Sequence, residues 1–166
     1  MLRRATLYWL DMEIRTAEIA DAALISAHRR AMFAEISPLD ESILSALERR
    51  SAAWTERMIH EGKYVGWIAS DAGHPVASAG LLILDWPPHP LDPEGELRGY
   101  LLNVFVEPAY RKRGLANELV KRCLAEARQR GIRVVTLHSS NAGRPIYERL
   151  GFRTTNEMMH VEPREK

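Results

Sequence analysis

Cysteine is almost absent from this chain: Cys123 is the single one among 166 residues. An internal disulfide framework is therefore excluded, and such low usage is typical of a reducing compartment. Cys123 falls on the apolar stripe of a predicted helix, so we expect a packed core thiol rather than a nucleophile. We predict a cytoplasmic protein.

Long apolar runs are missing as well. No stretch approaches the ~20 apolar residues that span a bilayer, so we predict no membrane partner. The run Leu7-Tyr8-Trp9-Leu10 is too short for a secretory signal, and no small-residue cleavage site follows it. We interpret residues 1–11 as an N-terminal extension, with an arm that contacts a second copy as the alternative. The length predicts one domain, over residues 12–166.

Positive and negative charges nearly balance over the whole chain, but the positive ones are concentrated in one segment. The formal net charge is +1 and the pI about 8.0, whereas residues 107–133 contain eight Lys/Arg and three Asp/Glu. A nucleic-acid-binding domain usually has a pI above ~9 and aromatic side chains among its basic ones, and neither holds here. We therefore predict no nucleic-acid partner and assign the basic segment to a phosphorylated ligand.

The basic segment begins where a predicted strand ends. Leu101–Val106 has the pattern of a strand that Pro108 terminates, and apolar residues recur at helical spacing from Leu115 onward. The basic turn between them, which contains Gly114, leads into a helix N-terminus, where unpaired N–H groups and the helix dipole attract anions. Neither a Walker A loop nor a Gly-x-Gly-x-x-Gly fingerprint is present. By itself the turn predicts a phosphate site, with an ordinary solvated basic turn as the alternative.

The whole chain predicts the order strand, two helices, three strands, helix, strand, helix, strand, which is typical of a mixed α/β sheet. Thr16 has the pattern of an N-cap for the first helix, which is expected to run to Glu35. Asp71–Pro75 is predicted to be a hairpin turn, and Met158–Val161 a last edge strand. The other predicted elements are a strand from Glu13 to Ala17, a helix from Glu41 to His60, strands Tyr64–Ala69, Val76–Leu84 and Val134–His138, and a proline-rich loop from Asp85 to Pro93.

Two motifs lie in order within the second half of the chain. The turn reads Arg111-Lys112-Arg113-Gly114-Leu115-Ala116, and Tyr147-Glu148-Arg149-Leu150-Gly151-Phe152 follows one helix and one strand later. Over residues 98–155 the chain resembles the GCN5-related N-acetyltransferase family, whose patterns are Arg/Gln-x-x-Gly-x-Gly/Ala and a tyrosine followed by Glu-x-x-Gly-Phe. That family transfers an acetyl group from acetyl-CoA to an amine. The resemblance implies an α/β single-domain fold, with a mixed, mostly antiparallel sheet, a splayed parallel strand pair and flanking helices.

The resemblance also implies where acetyl-CoA binds. Backbone N–H groups of the turn would hold its pyrophosphate, and main-chain groups of the preceding strand would pair with the pantetheine amides. A main-chain group near Asn103 to Phe105 would polarise the thioester. Where the family often has an asparagine, seven positions before the tyrosine, this chain has Ser140, and Asn141 follows it; either could make that contact. The predicted cofactor-binding residues are Val104, Phe105, Val106, Arg111, Lys112, Arg113, Gly114, Leu115, Ala116, Ser140 and Asn141.

Tyr147 is the predicted catalytic acid, because a phenol of pKa ~10 can donate a proton to a departing thiolate of pKa ~8.5. The alternative is a tyrosine that only shapes the cofactor slot. A buried Cys123 disfavours a covalent acetyl-enzyme, so we predict direct transfer in a ternary complex. The general base stays open among several side chains, and two others are candidates for the acceptor site. The base candidates are Asp85, Glu94, Glu96 and His138, and the acceptor-site candidates are Glu35 and Trp86.

No spacing of His, Cys, Asp or Glu suggests a metal site, and we predict none. The expected acceptor is a primary amine on a small molecule, or else a protein N-terminus or peptide; a small molecule is favoured because nothing indicates a wide peptide groove. A catalytically silent acyl-CoA-binding regulatory module is the alternative function, and it would not need Tyr147. A homodimer is expected only by analogy with the fold.

Overall fold

The structure is a computed structural model that describes residues 12–155 and 157–162. The predicted N-terminal extension, residues 1–11, lies outside the described part of the chain. The strands are β1 (Met12–Thr16), β2 (Tyr64–Asp71), β3 (His74–Asp85), β4 (Leu97–Val106) and β5 (Val135–Thr136), and the helices are α1 (Ala22–Ile36), α2 (Glu41–His60), α3 (Leu115–Gln129) and α4 (Arg144–Arg149). Short 3-10 turns at Ile19–Asp21 and Pro108–Tyr110 precede α1 and follow β4.

The strands form one five-stranded sheet in the order β1-β2-β3-β4-β5. Strands β1 to β4 pair antiparallel, and β5 pairs parallel with β4. The predicted hairpin turn joins β2 and β3 through Ala72 and Gly73, whose φ angles are 47° and 81°. Positive φ at both central residues is what a tight two-residue turn needs between strands of right-handed twist. The predicted α/β class, with a mostly antiparallel sheet and one parallel pair, is confirmed.

Helix α3 covers one face of the sheet through an apolar contact. Its side chains at one helical face enter a cluster with small and branched residues of β2, β3 and β4. Cys123 is wholly buried in this cluster, as predicted, and burial raises the pKa of its thiol, which keeps it protonated and unreactive. The buried residues of α3 are Leu115, Leu119, Val120, Cys123 and Ala127.

Helices α1 and α2 lie against each other and cover the opposite face of the sheet. Ser78 of β3 points to this face, because strand residues alternate and its neighbours Ala77 and Ala79 belong to the cluster under α3. Its Oγ is 2.9 Å from Nδ1 of His28 on α1, and both side chains are buried. The face under α1 and α2 therefore contains buried polar groups, whereas the buried cluster under α3 consists of apolar side chains.

The predicted N-cap at Thr16 is wrong. Thr16 is the last residue of β1 and pairs with Trp67. The ladder continues past it, since the N–H of Ala17 donates to the carbonyl of Gly66 at 2.8 Å. The chain turns at Glu18, whose N–H donates to Asp21 Oδ2 at 2.7 Å. Pairing with β2 thus delays the helix, and α1 begins only at Ala22.

The predicted last strand is wrong too. Within the described residues, Met158–Val161 belongs to no strand, and both Met158 and Val161 are exposed. The last strand of the described structure, β5, is limited to Val135–Thr136 instead of the predicted Val134–His138. A two-residue strand offers too little ladder for a further strand to add to it.

Candidate active site

Strand β4 is distorted in its middle. Ser78 pairs with Phe105 and Gly80 pairs with Leu102, so three steps along β4 oppose two along β3. The extra residue makes a β-bulge. Asn103 within it has a positive φ of 56°, a conformation that asparagine adopts more readily than most residues. The bulge takes part of the β4 backbone out of the regular ladder.

The ladder between β4 and β5 ends just before the bulge. Gly99 and Tyr100 are the β4 residues that pair with β5. Strand β4 continues to Val106, so beyond Tyr100 this edge pairs with no further strand of the described residues, and we call this unpaired stretch the gap between β4 and β5. Val104 and Val106, the predicted pantetheine contacts, lie on this edge. The ring of Phe105 points away from the gap and packs on His28, with 4.8 Å between ring centroids.

The basic turn between β4 and α3 has a left-handed backbone at two positions. Lys112 has a φ of 61°, and Gly114, which is the N-cap residue of α3, has a φ of 87°. The N–H of Glu118 donates to the carbonyl of Gly114 at 3.0 Å. The N–H groups of the helical residues before Glu118 have no acceptor further back in the helix. They project from the positive end of the helix dipole, which is the arrangement that binds phosphate groups.

The arginine side chains of this turn are bonded to the protein itself. Arg111 Nε donates to the carbonyl of Val106 at 2.9 Å, and its Nη2 lies 2.7 Å from each carboxylate oxygen of Glu35. Arg113 Nη2 donates to the carbonyl of Ala109 at 2.9 Å. These bonds brace the turn and leave its backbone to face a ligand. Glu35, a candidate for acceptor binding, is instead paired with the turn.

Tyr147 lies in the helix α4, which begins at Arg144 and has Pro145 in its first turn. Its ring packs edge-on against Phe152, with 5.8 Å between centroids. It also contacts the apolar cluster under α3, which Val104 contacts as well. Burial raises the pKa of Tyr147 to about 12, so its hydroxyl is protonated at neutral pH.

Ser140 and Asn141 occupy the turn that precedes α4. Ser140 Oγ accepts the N–H of Gly143 at 3.1 Å, and its carbonyl accepts the N–H of Arg144 at 3.1 Å. Asn141 is exposed. The hydroxyl of Ser140 therefore stabilises the turn before α4, whereas Asn141 is exposed to solvent.

A polar cluster that the sequence analysis missed surrounds the bulge on the side of α1. Arg29 Nη1 donates to Asn103 Oδ1 at 2.7 Å, and Asn103 Nδ2 donates to the hydroxyl of Tyr64 at 3.2 Å. Tyr64 is buried, and burial raises the pKa of its phenol, which keeps it neutral. The available signal was the pair His28-Arg29, two basic residues directly after the apolar start of α1.

His138 lies next to the same strand. Its Nδ1 is hydrogen-bonded to the hydroxyl of Tyr100, and burial raises the pKa of that phenol. Among the base candidates, His138 is bonded to β4 through its side chain, whereas Asp85 pairs with Leu97 of β4 in the sheet ladder. The position of His138 after β5 brings it to the end of the ladder, where the gap opens.

The loop between β3 and β4 carries the remaining candidates. Its two ends meet where the N–H of Trp86 donates to the carbonyl of Glu96 at 2.9 Å. The guanidinium of Arg98 lies 3.8 Å from the centre of the Trp86 ring, so this tryptophan is covered by a cation. The structure leaves the acidic candidates exposed in or beside this loop: Asp85, Glu94 and Glu96.

Within residues 12–155 and 157–162, no three His, Cys, Asp or Glu side chains are grouped as metal ligands would be. No helix in that part of the chain is long and apolar enough to cross a membrane. The edge of β4 and the N-terminus of α3 offer backbone N–H groups, the phenol of Tyr100 and the imidazole of His138 lie where the β4–β5 ladder ends, and Tyr147 contacts the same apolar cluster as Val104. This set suits a phosphorylated ligand that also contains amides.

Comparisons with known proteins agree with this geometry. A curated relative, the glucosamine 6-phosphate N-acetyltransferase of Trypanosoma brucei brucei, is 28% identical over 158 residues, which are 92% of this chain and 97% of the relative. The crystal structure of a GCN5-related N-acetyltransferase from Ralstonia eutropha JMP134 has a TM-score of 0.86 and 38% identity, over 91% of this chain and 98% of that chain. The structure of a predicted acetyltransferase from Clostridium acetobutylicum with acetyl-CoA has a TM-score of 0.81 and 26% identity, over 91% and 96%.

The family model described as acetyltransferase (GNAT) family matches residues 28–152. This range includes the bulged strand β4, the N-terminus of α3 and Tyr147. The resemblance found in the two sequence motifs is therefore confirmed over most of the chain. The chain belongs to the GNAT family and is an acetyl-CoA-dependent N-acetyltransferase.

Proposed function

We propose that the chain transfers the acetyl group of acetyl-CoA directly to the primary amine of a small molecule, within a ternary complex. One observation carries the proposal: the ladder between β4 and β5 ends at Tyr100, which leaves the edge of β4 from Val104 to Val106 unpaired beside the apolar core under α3. Val104, Val106 and Tyr147 all contact that core. Acetyl-CoA supplies an activated acetyl group as a thioester, and the chain supplies binding, orientation and a proton.

The basic turn is the proposed pyrophosphate site. Backbone N–H groups of Arg111–Ala116 can donate to phosphate oxygens, and the positive end of the α3 dipole adds attraction. The ion pair between Arg111 and Glu35 supports this role by holding the turn in place. The edge of β4 from Val104 to Val106 can pair with pantetheine amides as an added strand would. Asn141, which is exposed, is the proposed residue for a further contact, and Ser140, whose hydroxyl accepts the N–H of Gly143 but can still donate, is the alternative.

Tyr147 is the proposed acid. As the new C–N bond forms and the C–S bond breaks, negative charge develops on sulfur, and a hydrogen bond from the Tyr147 hydroxyl would stabilise it. The pKa of about 12 keeps that proton in place at neutral pH. The amine loses a proton in the same reaction, and His138, bonded to Tyr100, is the proposed group to receive it.

Tyr147→Phe tests the acid role. We expect kcat to fall by roughly 10²-fold, because the ring is kept but the proton donor is lost, while the Kd of acetyl-CoA changes little. Tyr110→Phe is the matched control, since its hydroxyl donates to Asp71 Oδ2 at 2.9 Å. In that control kcat should change by less than about twofold. An unchanged kcat in Tyr147→Phe would remove this residue from the mechanism.

Thiol release from acetyl-CoA tests the reaction as a whole. The panel contains amino sugars, amino acids, polyamines, aminoglycosides and short peptides, beside a control without amine. Glucosamine 6-phosphate is included because the trypanosomal relative is named for it. Release that depends on one class of small amine would support the proposal, and release with peptides alone would make a protein N-terminus the acceptor. Absence of release, with acetyl-CoA still raising the Tm, would favour a silent acyl-CoA-binding module.

We also propose that the protein works in the cytoplasm. A single buried cysteine needs no oxidising compartment for folding. Fractionation of cells that express the chain would test this, and recovery of the protein outside the cytoplasmic fraction would contradict it.

A further inference from the structure

Arg29 and Arg98 are both partly buried arginines without a carboxylate within 4.0 Å among the described residues, and Arg29 is the one that is bonded to Asn103 in the bulge. It projects from α1 toward the β4 bulge and is partly buried, yet no carboxylate of the described residues lies within 4.0 Å of it. Its neighbour Arg30 shows the ordinary arrangement: it pairs with Glu41 at 2.6 Å and with Glu48 at 3.3 Å. Arg29 and Arg30 are thus adjacent on one helix, but of the two only Arg30 has a carboxylate counter-ion among the described residues.

The polar partner of Arg29 is neutral. One of its five N–H groups donates to the amide oxygen of Asn103 at 2.7 Å. Its guanidinium also lies 4.9 Å from the centre of the Phe33 ring. The ionisable groups that interact with it are the phenols of Tyr64 and Tyr100, which are uncharged at neutral pH. A partly buried cation without a counter-ion is unfavourable, and burial accordingly lowers the pKa of Arg29.

The position of this charge connects it to the acceptor. Asn103, its partner, is the residue of the bulge, next to the edge of β4 on which the thioester is proposed to lie. The guanidinium reaches the bulge from α1, whereas the turn proposed to hold the pyrophosphate meets α1 at Glu35, six residues or roughly 9 Å further along the helix. Arg29 is therefore separate from the phosphate groups of acetyl-CoA and close to where an amine must approach.

We propose that Arg29 binds an anionic group, a carboxylate or a phosphate, on the acceptor amine. This inference rests on the proposed function and names the class of substrate for the same site. A guanidinium matches the two oxygens of either group with paired N–H donors, and it would supply the counter-ion that each of these groups needs. The anionic group of the bound acceptor then serves as the counter-ion of Arg29 beside the bulge.

Matched acceptor pairs test the inference. Glucosamine 6-phosphate is compared with glucosamine, and an α-amino acid with its amide, so that phosphate and carboxylate are each tested against a neutral counterpart. Arg29→Gln replaces the guanidinium by a shorter, neutral amide. We expect kcat/KM for the better anionic acceptor to fall roughly 10- to 100-fold, mainly through KM, while its neutral counterpart changes by less than about threefold.

Arg30→Gln is the matched control, because the charge of Arg30 is already compensated by Glu41 and Glu48. It should leave the ratio of anionic to neutral kcat/KM unchanged. Arg29→Lys keeps the charge without the paired donors and should recover part of the preference. An equal loss for both members of each pair in Arg29→Gln would show that Arg29 only supports the bulge, and the inference would be overturned.

Calorimetry separates this inference from the proposed function. Binding of the anionic acceptors is measured in the presence of CoA, for the wild type and for Arg29→Gln. If no amine is acetylated, the proposed function fails, and the binding data still decide the role of Arg29. Binding by the wild type that weakens at least roughly tenfold in Arg29→Gln supports the inference. Equal binding by both proteins, or none by the wild type, overturns it.

Discussion

The two faces of the sheet are built differently. Under α3 the buried side chains form an apolar cluster, from Leu115 to Ala127 on the helix and from Trp67 to Leu101 on the strands. Under α1 and α2 the buried set includes hydrogen-bonded polar groups, such as His28 with Ser78 and Asn103 with Tyr64. Burying polar groups stabilises a fold less than burying apolar ones of the same size, and each needs a partner.

The two faces therefore contribute to different properties of the protein. The face under α3 supports the fold, and it holds β4 and α3 in the positions from which the gap arises. The face under α1 and α2 buries polar groups among its apolar ones, and some of these polar groups form hydrogen bonds around the bulge. We infer that substitutions under α3 act on stability, whereas substitutions under α1 and α2 act on stability and on acceptor use together.

The largest expected effect is on the apolar face. Leu119→Ala removes a wholly buried side chain, and we expect it to lower the free energy of unfolding by about 2–5 kcal/mol, through lost burial and a residual cavity. Urea unfolding at fixed pH measures it, with kcat determined on the folded fraction. Leu91→Ala, at a side chain that is 54% exposed, is the control. A loss below about 1 kcal/mol would show that the cluster is not the main support.

A glycine on each face gives a sharper comparison. A Cβ on Gly80 would lie 2.1 Å from the hydroxyl oxygen of the buried Tyr64, whereas one on Gly99 would meet only the side-chain ends of Leu81 and Val135, at 2.9 and 3.0 Å. We expect Gly80→Ala to cost about 1–3 kcal/mol, because Tyr64 has little room to move, and Gly99→Ala to cost less.

The same pair also tests acceptor use. Displacement of Tyr64 in Gly80→Ala would disturb its hydrogen bond from Asn103, so KM for the acceptor should rise there. Thermal unfolding and steady-state kinetics on both variants measure the two effects. Equal stability loss with equal KM in the two variants would remove the distinction between the faces.

We expect the weakest effect from pH, which changes the free energy of unfolding through His28 on the face under α1 and α2. Burial lowers the pKa of His28 below its ordinary value of 6.5. As the pH falls below about 6.5, the unfolded chain takes up a proton at His28 that the folded chain does not, so the free energy of unfolding decreases. One proton contributes at most about 1.4 kcal/mol per pH unit.

His28→Asn removes this proton and can keep a hydrogen bond to Ser78. Urea unfolding between pH 5 and 7.5 should therefore show a smaller slope in the variant than in the wild type. Ser78→Ala is the control, since it removes the hydrogen bond but keeps the imidazole, and its slope should persist. Superimposable slopes in His28→Asn and the wild type would assign the pH dependence to other groups.

Much of this fold was predictable because its signals are local. Apolar spacing from Leu115 predicts α3, and α2 from Glu41 to His60 was predicted at both ends. The failures occurred where pairing partners decide the outcome. Thr16 is a good N-cap residue by type, but the ladder with β2 keeps it in β1. Val134–His138 is rich in strand formers, yet only two residues pair, because β5 diverges from β4.

For the candidate site the division is similar. The turn residues and Tyr147 were predictable because they form contiguous motifs, although their roles stay predictions. Arg29 was not predictable, since its meaning depends on Asn103, 74 positions later, and on the absence of a nearby carboxylate among the described residues. His138 was one base candidate among several until its bond to Tyr100 distinguished it.

Fold class, family and the position of the basic turn can be predicted from the sequence alone, because periodicity and contiguous motifs are encoded in neighbouring residues. The place of the bulge in β4, the extent of its pairing with β5 and the charge without a counter-ion beside the bulge become visible only in the folded chain. Those features depend on contacts between residues far apart in the chain. Their energies are set by burial and by the partners that burial brings together.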